Sequence, residues 1–174
     1  MLKLLIIIAL LLITTQDFKE RMVYWFFFPF LITLLIFDRI NLKESVNDIF
    51  STSFINISFF IIQLLMVTTY FSIKNKKIVN IFAELLGWGD VFFLIAVASY
   101  LSVLNFAFYY IASLILSLLF WIFWKKLVHP SGKYIPLAGI QAVLFAMFLI
   151  FDWWLLHIDI TKDDWLTSFF YKWT

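Results

Sequence analysis

The chain has 174 residues, of which 64% are hydrophobic, 22% are aromatic and only 14% are charged. A soluble globule of this length needs more polar surface than this composition supplies, so a lipid bilayer is its expected surrounding. The net charge of +2 is too small and too scattered for a nucleic-acid surface. The absence of cysteine excludes disulfides and thiolate metal sites.

Six apolar runs follow one another, and charged or turn-forming residues separate each run from the next. The runs cover residues 2–15, 22–37, 49–73, 91–106, 107–124 and 135–158. Because a membrane-crossing helix needs about 20 mostly apolar residues, we predict an all-α integral membrane protein, a six-transmembrane-helix bundle with short loops that forms one domain over residues 1–174. The first run resembles a signal peptide, but Thr14–Asp17 offers no small-residue cleavage site, so it is interpreted as a retained helix.

Lysine and arginine residues are distributed unequally between the two sides of this predicted bundle. One side carries Lys19, Arg21, Lys74, Lys76, Lys77, Lys125, Lys126 and Lys133. The other side carries Lys3, Arg39, Lys43, Lys162 and Lys172. By the positive-inside rule the richer side is cytoplasmic, which predicts a multi-pass protein of the cell (inner) membrane with both termini outside the cytoplasm.

Three carboxylates, Asp17, Asp90 and Asp152, lie within or beside the apolar runs. An ionisable residue in a membrane span costs about 2.5–3.5 kcal/mol on insertion scales, so each needs a partner or a task. Asp17 ends the first predicted helix and Asp90 begins the fourth, which places both at the cytoplasmic face and at one depth. Two carboxylates in one partly wet, low-dielectric site hold a single proton between them, as the catalytic pair of an aspartic protease does.

Glycine and proline residues flank the two carboxylates that share a depth. Gly87 and Gly89 stand in the sequence Gly87-Trp88-Gly89-Asp90, where an uncrowded backbone would admit an extended peptide next to Asp90. Pro136 opens the last predicted helix and fixes the entry of the chain there. We therefore predict that Gly87, Gly89 and Pro136 line a substrate cleft.

This order of landmarks resembles that of the type IV prepilin peptidases and preflagellin peptidases, which are membrane aspartyl proteases with a GxGD motif. Their first aspartate is followed by a basic stretch, as in residues 17–23 here; the second lies in GxGD at the start of helix four, as in residues 87–90. A proline-containing segment opens helix six, as in residues 135–139. The chain departs from the family at Val23, where many members have an Ile-Pro pair after the first aspartate, and at Phe92, where a lysine is frequent.

The resemblance implies an aspartic-type endopeptidase with Asp17 and Asp90 as its catalytic residues. It implies a prepilin-like membrane substrate, whose short basic leader is cut at the cytoplasmic face, and secretion or pilus machinery as a partner. The cysteine-based zinc domain of the methylating family members is absent, so we expect peptidase activity without methylation. No cofactor, no metal and no nucleic acid is expected.

Other interpretations remain open for each of these residues. Asp17 alone is typical of an interfacial charge, and Asp90 alone is typical of a helix cap. Asp152 suits a structural role with a polar neighbour, and the acidic residues near His157 have a spacing that fits no standard metal site. As whole-protein alternatives, the chain is a small transporter or proton-conducting bundle with an aspartate relay, or a noncatalytic membrane subunit.

Overall fold

The computed structural model describes residues 1–20, 22–77, 87–128 and 136–171, which form helices and turns, without a strand in these ranges. The α-helices in these ranges are α1 (Leu2–Glu20), α2 (Phe27–Asn41), α3 (Val46–Asn75), α4 (Trp88–Ala98), α5 (Val103–Val128), α6 (Leu137–Ile150) and α7 (Asp164–Tyr171). A π-helical turn, Phe151–Leu156, extends α6. The prediction of an all-α fold is confirmed.

Three of these helices are long and apolar enough to cross a membrane, over Val46–Asn75, Val103–Lys126 and Leu137–Leu156. Large apolar side chains such as Ile62 and Ile115 are about half exposed on the outer faces of these helices, which water would not favour. α2 has 15 residues and α4 has 11, fewer than the ~20 that a full span needs. A membrane protein is therefore indicated, and the count of six spans stays a prediction.

α1 packs on α2 and α6, and α4 packs on the same two helices. The buried face of α1 follows helical spacing and consists of Ile6, Ala9, Leu10, Ile13 and Asp17. We name the two ends of the bundle after their buried carboxylates. The Asp17 end holds the C-terminus of α1 and the N-termini of α4 and α6, and the Asp38 end holds the C-terminus of α2.

Two predicted helix boundaries are wrong. The first helix was expected to end at Asp17, but α1 continues to Glu20, so Asp17 lies inside the helix rather than at its end. The boundary between the fourth and fifth helices was expected after residue 106, but the chain turns between Ala98 and Val103. This turn contains no glycine or proline that would mark it in the sequence.

A buried asparagine on α3 holds this turn in place. The Asn56 side-chain amide donates hydrogen bonds to the carbonyl oxygens of Ala98, at 3.0 Å, and Leu101, at 2.8 Å. These carbonyls have no helical partner where α4 ends, and the amide satisfies them away from water. A polar side chain in an apolar run thus explains a turn that apolar patterning could not locate.

We expect Asn56→Ala to lower the free energy of unfolding by about 1–2 kcal/mol, because two buried carbonyls lose their donor. Thermal unfolding of the purified protein in detergent measures this loss. Asn47→Ala is the matched control, since Asn47 is exposed on the same helix. Equal unfolding temperatures for the two variants would show that the amide does not hold the turn.

Candidate active site

Asp17 lies on the buried face of α1 and is only 7% exposed. It continues the apolar stripe of that helix by one further turn, so the packing that buries Ile13 also buries the carboxylate. Its Oδ2 atom accepts a hydrogen bond of 2.6 Å from the backbone N–H of Gly139, at the start of α6. α6 therefore covers most of the Asp17 carboxylate, which was predicted to lie in a partly wet site.

Asp90 lies in the first turn of α4, at its third helical residue. Its Oδ2 atom accepts a hydrogen bond of 3.0 Å from the backbone N–H of Gly87, the residue that precedes the helix. The carboxylate thus caps α4 from inside the first turn, which is one half of a capping box. The capping interpretation of Asp90 is confirmed, and it is compatible with a further role because the carboxylate has additional neighbours.

The additional neighbours of Asp90 bring it to Asp17. The surroundings of Asp90 include the backbone of Ala138 and the charge of Asp17. Ala138 and Gly139 are consecutive residues, and consecutive Cα atoms are about 3.8 Å apart. The two carboxylates therefore meet at the first turn of one helix, α6, with α1 and α4 supplying one carboxylate each.

The start of α6 is suited to holding negative charge. Pro136 precedes the helix with φ of −74°, a value that its ring favours at a helix start. The first N–H groups of a helix have no partner within it and carry the positive end of the helix dipole. In this protein Gly139 directs one such group to Asp17, and Ala138 lies beside Asp90.

Gly139 is required by close packing rather than by backbone conformation. A Cβ atom at this position would lie 3.0 Å from Cδ2 of Phe18 and 3.1 Å from both Cβ and Oδ2 of Asp17. The Thr14 hydroxyl, which donates to the Leu10 carbonyl at 2.8 Å, also approaches the Gly139 carbonyl at 3.4 Å. Only glycine lets α6 approach α1 closely enough for the 2.6 Å hydrogen bond.

The three predicted cleft residues lie around this pair in different ways. Gly87 is exposed in front of α4, with extended backbone angles. Gly89 is half-buried, and a Cβ there would meet Cζ of Phe28 at an ordinary 3.8 Å. Pro136 is buried in front of α6. Neither glycine has a positive φ, so the conformational freedom expected of them is not used in this structure.

The residues that depart from the family pattern are part of the packing at this end. The ring of Phe92 lies 5.8 Å from Phe28 and 6.1 Å from Trp88, measured between centroids. Val23 packs on the buried core. Phe92 thus occupies an aromatic cluster beside Asp90, in place of the charge that a lysine would bring.

Four residues named in the sequence predictions lie outside the part of the chain that the structure describes. They are Arg21, Lys133, Ile135 and Lys172.

Sequence reasoning did not identify two buried charges at the opposite end of the bundle. Asp38 is 4% exposed and accepts a hydrogen bond of 2.9 Å from the hydroxyl of Tyr100. Arg39 is 1% exposed; its Nε donates to Glu44 at 2.8 Å and its Nη1 to the Ser99 carbonyl at 3.2 Å. Their position in the sequence could have identified these two buried charges. Both residues continue the helical spacing of the second apolar run, so their side chains face neighbouring helices.

Asp152 has the structural contact that was predicted for it. Its Oδ1 atom accepts a hydrogen bond of 2.8 Å from the backbone N–H of Asp159, which closes the loop after the π-helical turn. Asp163 also has a structural contact, because it accepts hydrogen bonds from Ser102, at 2.5 Å, and from the Leu104 backbone, at 3.1 Å. Within the described residues, no group of three potential metal ligands comes together.

Comparison with known proteins finds no family model that matches this chain, and no curated protein and no solved structure that is significantly similar to it.

Proposed function

We propose that this chain is a membrane-embedded aspartyl endopeptidase in which Asp17 and Asp90 share one proton and activate water between them. The observation that supports this most is that the first turn of α6 lies beside both carboxylates, because Gly139 donates a hydrogen bond to Asp17 and the backbone of Ala138 lies next to Asp90. A carboxylate pair that serves only to cap helices does not need a third helix to draw its members together. A hydrolytic pair needs such an arrangement, because its two members act on one water and one carbonyl.

The surroundings of the two carboxylates assign them different roles in this proposal. Asp17 is the more buried member and receives the short hydrogen bond from Gly139, which stabilises its ionised form. Asp17 is therefore the base that takes a proton from water. Asp90 is the more accessible member, beside the exposed Gly87, and it carries the shared proton that polarises the scissile carbonyl.

The substrate class in this proposal rests on the resemblance to prepilin and preflagellin peptidases. The substrate is a membrane peptide with a short basic leader before its hydrophobic helix, cut on the cytoplasmic side. The exposed glycine in front of α4 supports access of an extended segment to Asp90 from that side. Secretion or pilus machinery is the corresponding partner, and the protein lies in the cell membrane with its Asp17 end toward the cytoplasm.

Cleavage of a co-expressed prepilin-like substrate in membranes tests the proposal. We expect the wild type to release the leader and the double variant Asp17→Asn/Asp90→Asn to leave it uncut. A substrate with its basic leader residues replaced by serine is the matched control for substrate class. Equal cleavage by the double variant would exclude the carboxylate pair as the catalytic group. Equal cleavage of both substrates by the wild type would exclude only the preference for a basic leader.

An aspartate relay across the membrane is less well supported. Among the residues of α6 that are buried between Gly139 and Asp152, only Gln141 is polar, and its side chain donates to Ser113 on α5; the others are Ile140, Ala142, Phe145, Ala146 and Leu149. Apolar side chains of this kind do not pass protons from one polar group to the next. The packing of α6 therefore favours two separate polar sites at the two ends of the bundle.

A further inference from the structure

A cavity of about 540 Å³ opens at the Asp38 end, far from the candidate active site. Its walls are residues 1–4 at the start of α1, Asp38, Asn41 and Leu42 at the end of α2, and Trp154 from the π-helical turn. It contains both an acidic and a basic side chain among mostly apolar ones. The two sites are independent, so what binds here does not depend on the proposed function.

Asp38 lines this cavity, and its carboxylate has one oxygen engaged by the protein. Its Oδ2 atom accepts the hydrogen bond from Tyr100, whose hydroxyl oxygen in turn accepts one of 3.3 Å from Nε1 of Trp153. Among the described residues, the side-chain hydrogen bonds of Asp38 use Oδ2 alone. The Tyr100 contact fixes the orientation of the carboxylate, and Oδ1 is left to accept from a donor in the cavity.

The charges at this end are not balanced around Asp38. Two carboxylates have a cation of their own, because Glu44 pairs with Arg39 and Asp159 pairs with Lys162 at 2.9 Å. Burial acts to raise the pKa of Asp159, but hydrogen bonds from Thr161 and Lys162 hold it below its ordinary value.

Asp38 and Asp152, both more than nine-tenths buried, share the charge of a single Lys3. The Lys3 ammonium lies 5.0 Å from the ring centroid of Trp153, the residue that follows Asp152 in the chain. One of the two carboxylates is therefore without a full countercharge from the described residues. A cation in the cavity would supply it next to Asp38.

The walls of the cavity select an amphipathic ligand. Leu4, Leu42 and Trp154 line it and are 59%, 45% and 49% exposed, so they are in contact with the surroundings of the bundle. Helix ends with tryptophan beside lysine are typical of the membrane interface, where lipid head groups lie. A ligand at this depth meets charge on one side and hydrocarbon on the other.

We propose that this cavity binds the head group of a phospholipid that carries a primary amine. The ammonium donates to Oδ1 of Asp38, the phosphate lies beside Lys3, and the acyl chains follow Leu4 and Leu42 into the bilayer. A primary ammonium has three N–H donors, which a quaternary amine lacks, so the site distinguishes ethanolamine from choline head groups. The lipid amine supplies the missing countercharge and leaves Lys3 to the phosphate.

Native mass spectrometry of the full chain in detergent tests this, with phosphatidylethanolamine, phosphatidylcholine and phosphatidylglycerol of identical acyl chains. We expect phosphatidylethanolamine to be retained about tenfold more strongly than the other two lipids. Asp38→Asn should remove this preference, since asparagine keeps an acceptor for Tyr100 and loses the charge. Lys3→Gln should weaken retention of all three phospholipids together.

Asp48→Asn is the matched control, because Asp48 is an exposed carboxylate at the same end, on α3. If Asp38→Asn does not fold, Leu42→Trp provides the same test by filling the cavity, and it should displace the lipid. Equal retention of the three lipids by the wild type, or an unchanged preference in Asp38→Asn and Leu42→Trp, would overturn the proposal. If free phosphoethanolamine competes as strongly as the intact lipid, the acyl chains do not contribute to binding, and the proposal that the ligand is a lipid would be overturned.

Discussion

Asp90→Asn is expected to lower the rate of leader cleavage at least about a hundredfold while leaving the protein folded. The asparagine keeps an oxygen that accepts from the Gly87 backbone, so the first turn of α4 retains its cap. It has no proton that can be shared with Asp17 and cannot exchange one with water. Cleavage rates in membranes, with the unfolding temperature of the same preparation, separate the two effects.

Asp17→Asn is expected to lose cleavage to the same extent and some stability as well. The Gly139 N–H, which now meets a carboxylate at 2.6 Å in a buried position, would meet a neutral amide oxygen instead. The wild type should show a bell-shaped dependence of rate on pH, because both the doubly protonated and the doubly ionised pair are inactive. A variant with residual activity should keep only one limb of this curve.

The exposed Asp48→Asn serves as the control for these two substitutions and should cut at the wild-type rate. If Asp90→Asn or Asp17→Asn cuts at that rate too, the carboxylate pair is not catalytic. If either variant loses its fold together with its activity, the corresponding serine variant, which is smaller and polar, distinguishes packing from chemistry at the same position.

The Asp17 end of the bundle was predictable from the sequence to a large extent because its markers are local. The start of α4 just before Asp90 and the start of α6 after Pro136 follow from capping and proline chemistry, and the sequence order of the helices then places them at one end. The donor role of α6 was not predictable. Which N–H group meets Asp17 depends on how closely α6 approaches α1, and Gly139 sets this distance. A single sequence shows the glycine but does not show which helix packs against it.

The Asp38 end was largely missed, for a different physical reason. Arg39 and Asp38 look like ordinary loop charges when only apolar runs are counted, because their partners lie outside α2: Glu44 in the turn that follows it, and Ser99 and Tyr100 after α4. The turn between α4 and α5 was missed for the same reason, since Asn56 on α3 satisfies its carbonyls. Features that depend on contacts between distant segments require the tertiary structure.

Gly139→Ala is expected to reduce cleavage about tenfold, although it lies outside the catalytic pair. The added methyl group would lie 3.0 Å from the Phe18 ring and 3.1 Å from Oδ2 of Asp17, so these groups must shift by a few tenths of an ångström. Overpacking of this kind costs about 1–3 kcal/mol, and misplacement of a catalytic group by about 1 Å lowers a rate about a hundredfold, so a smaller shift gives a smaller loss.

Gly89→Ala is the matched control for stability in this experiment. Its methyl group would meet only Cζ of Phe28, at 3.8 Å, and alanine is favoured over glycine in a helix by about 0.5–1 kcal/mol. We therefore expect Gly89→Ala to unfold at or above the wild-type temperature and Gly139→Ala to unfold below it. Full activity and unchanged stability in Gly139→Ala would mean that α6 does not hold Asp17 in place, and the support that the Gly139 contact gives to the proposed function would be lost.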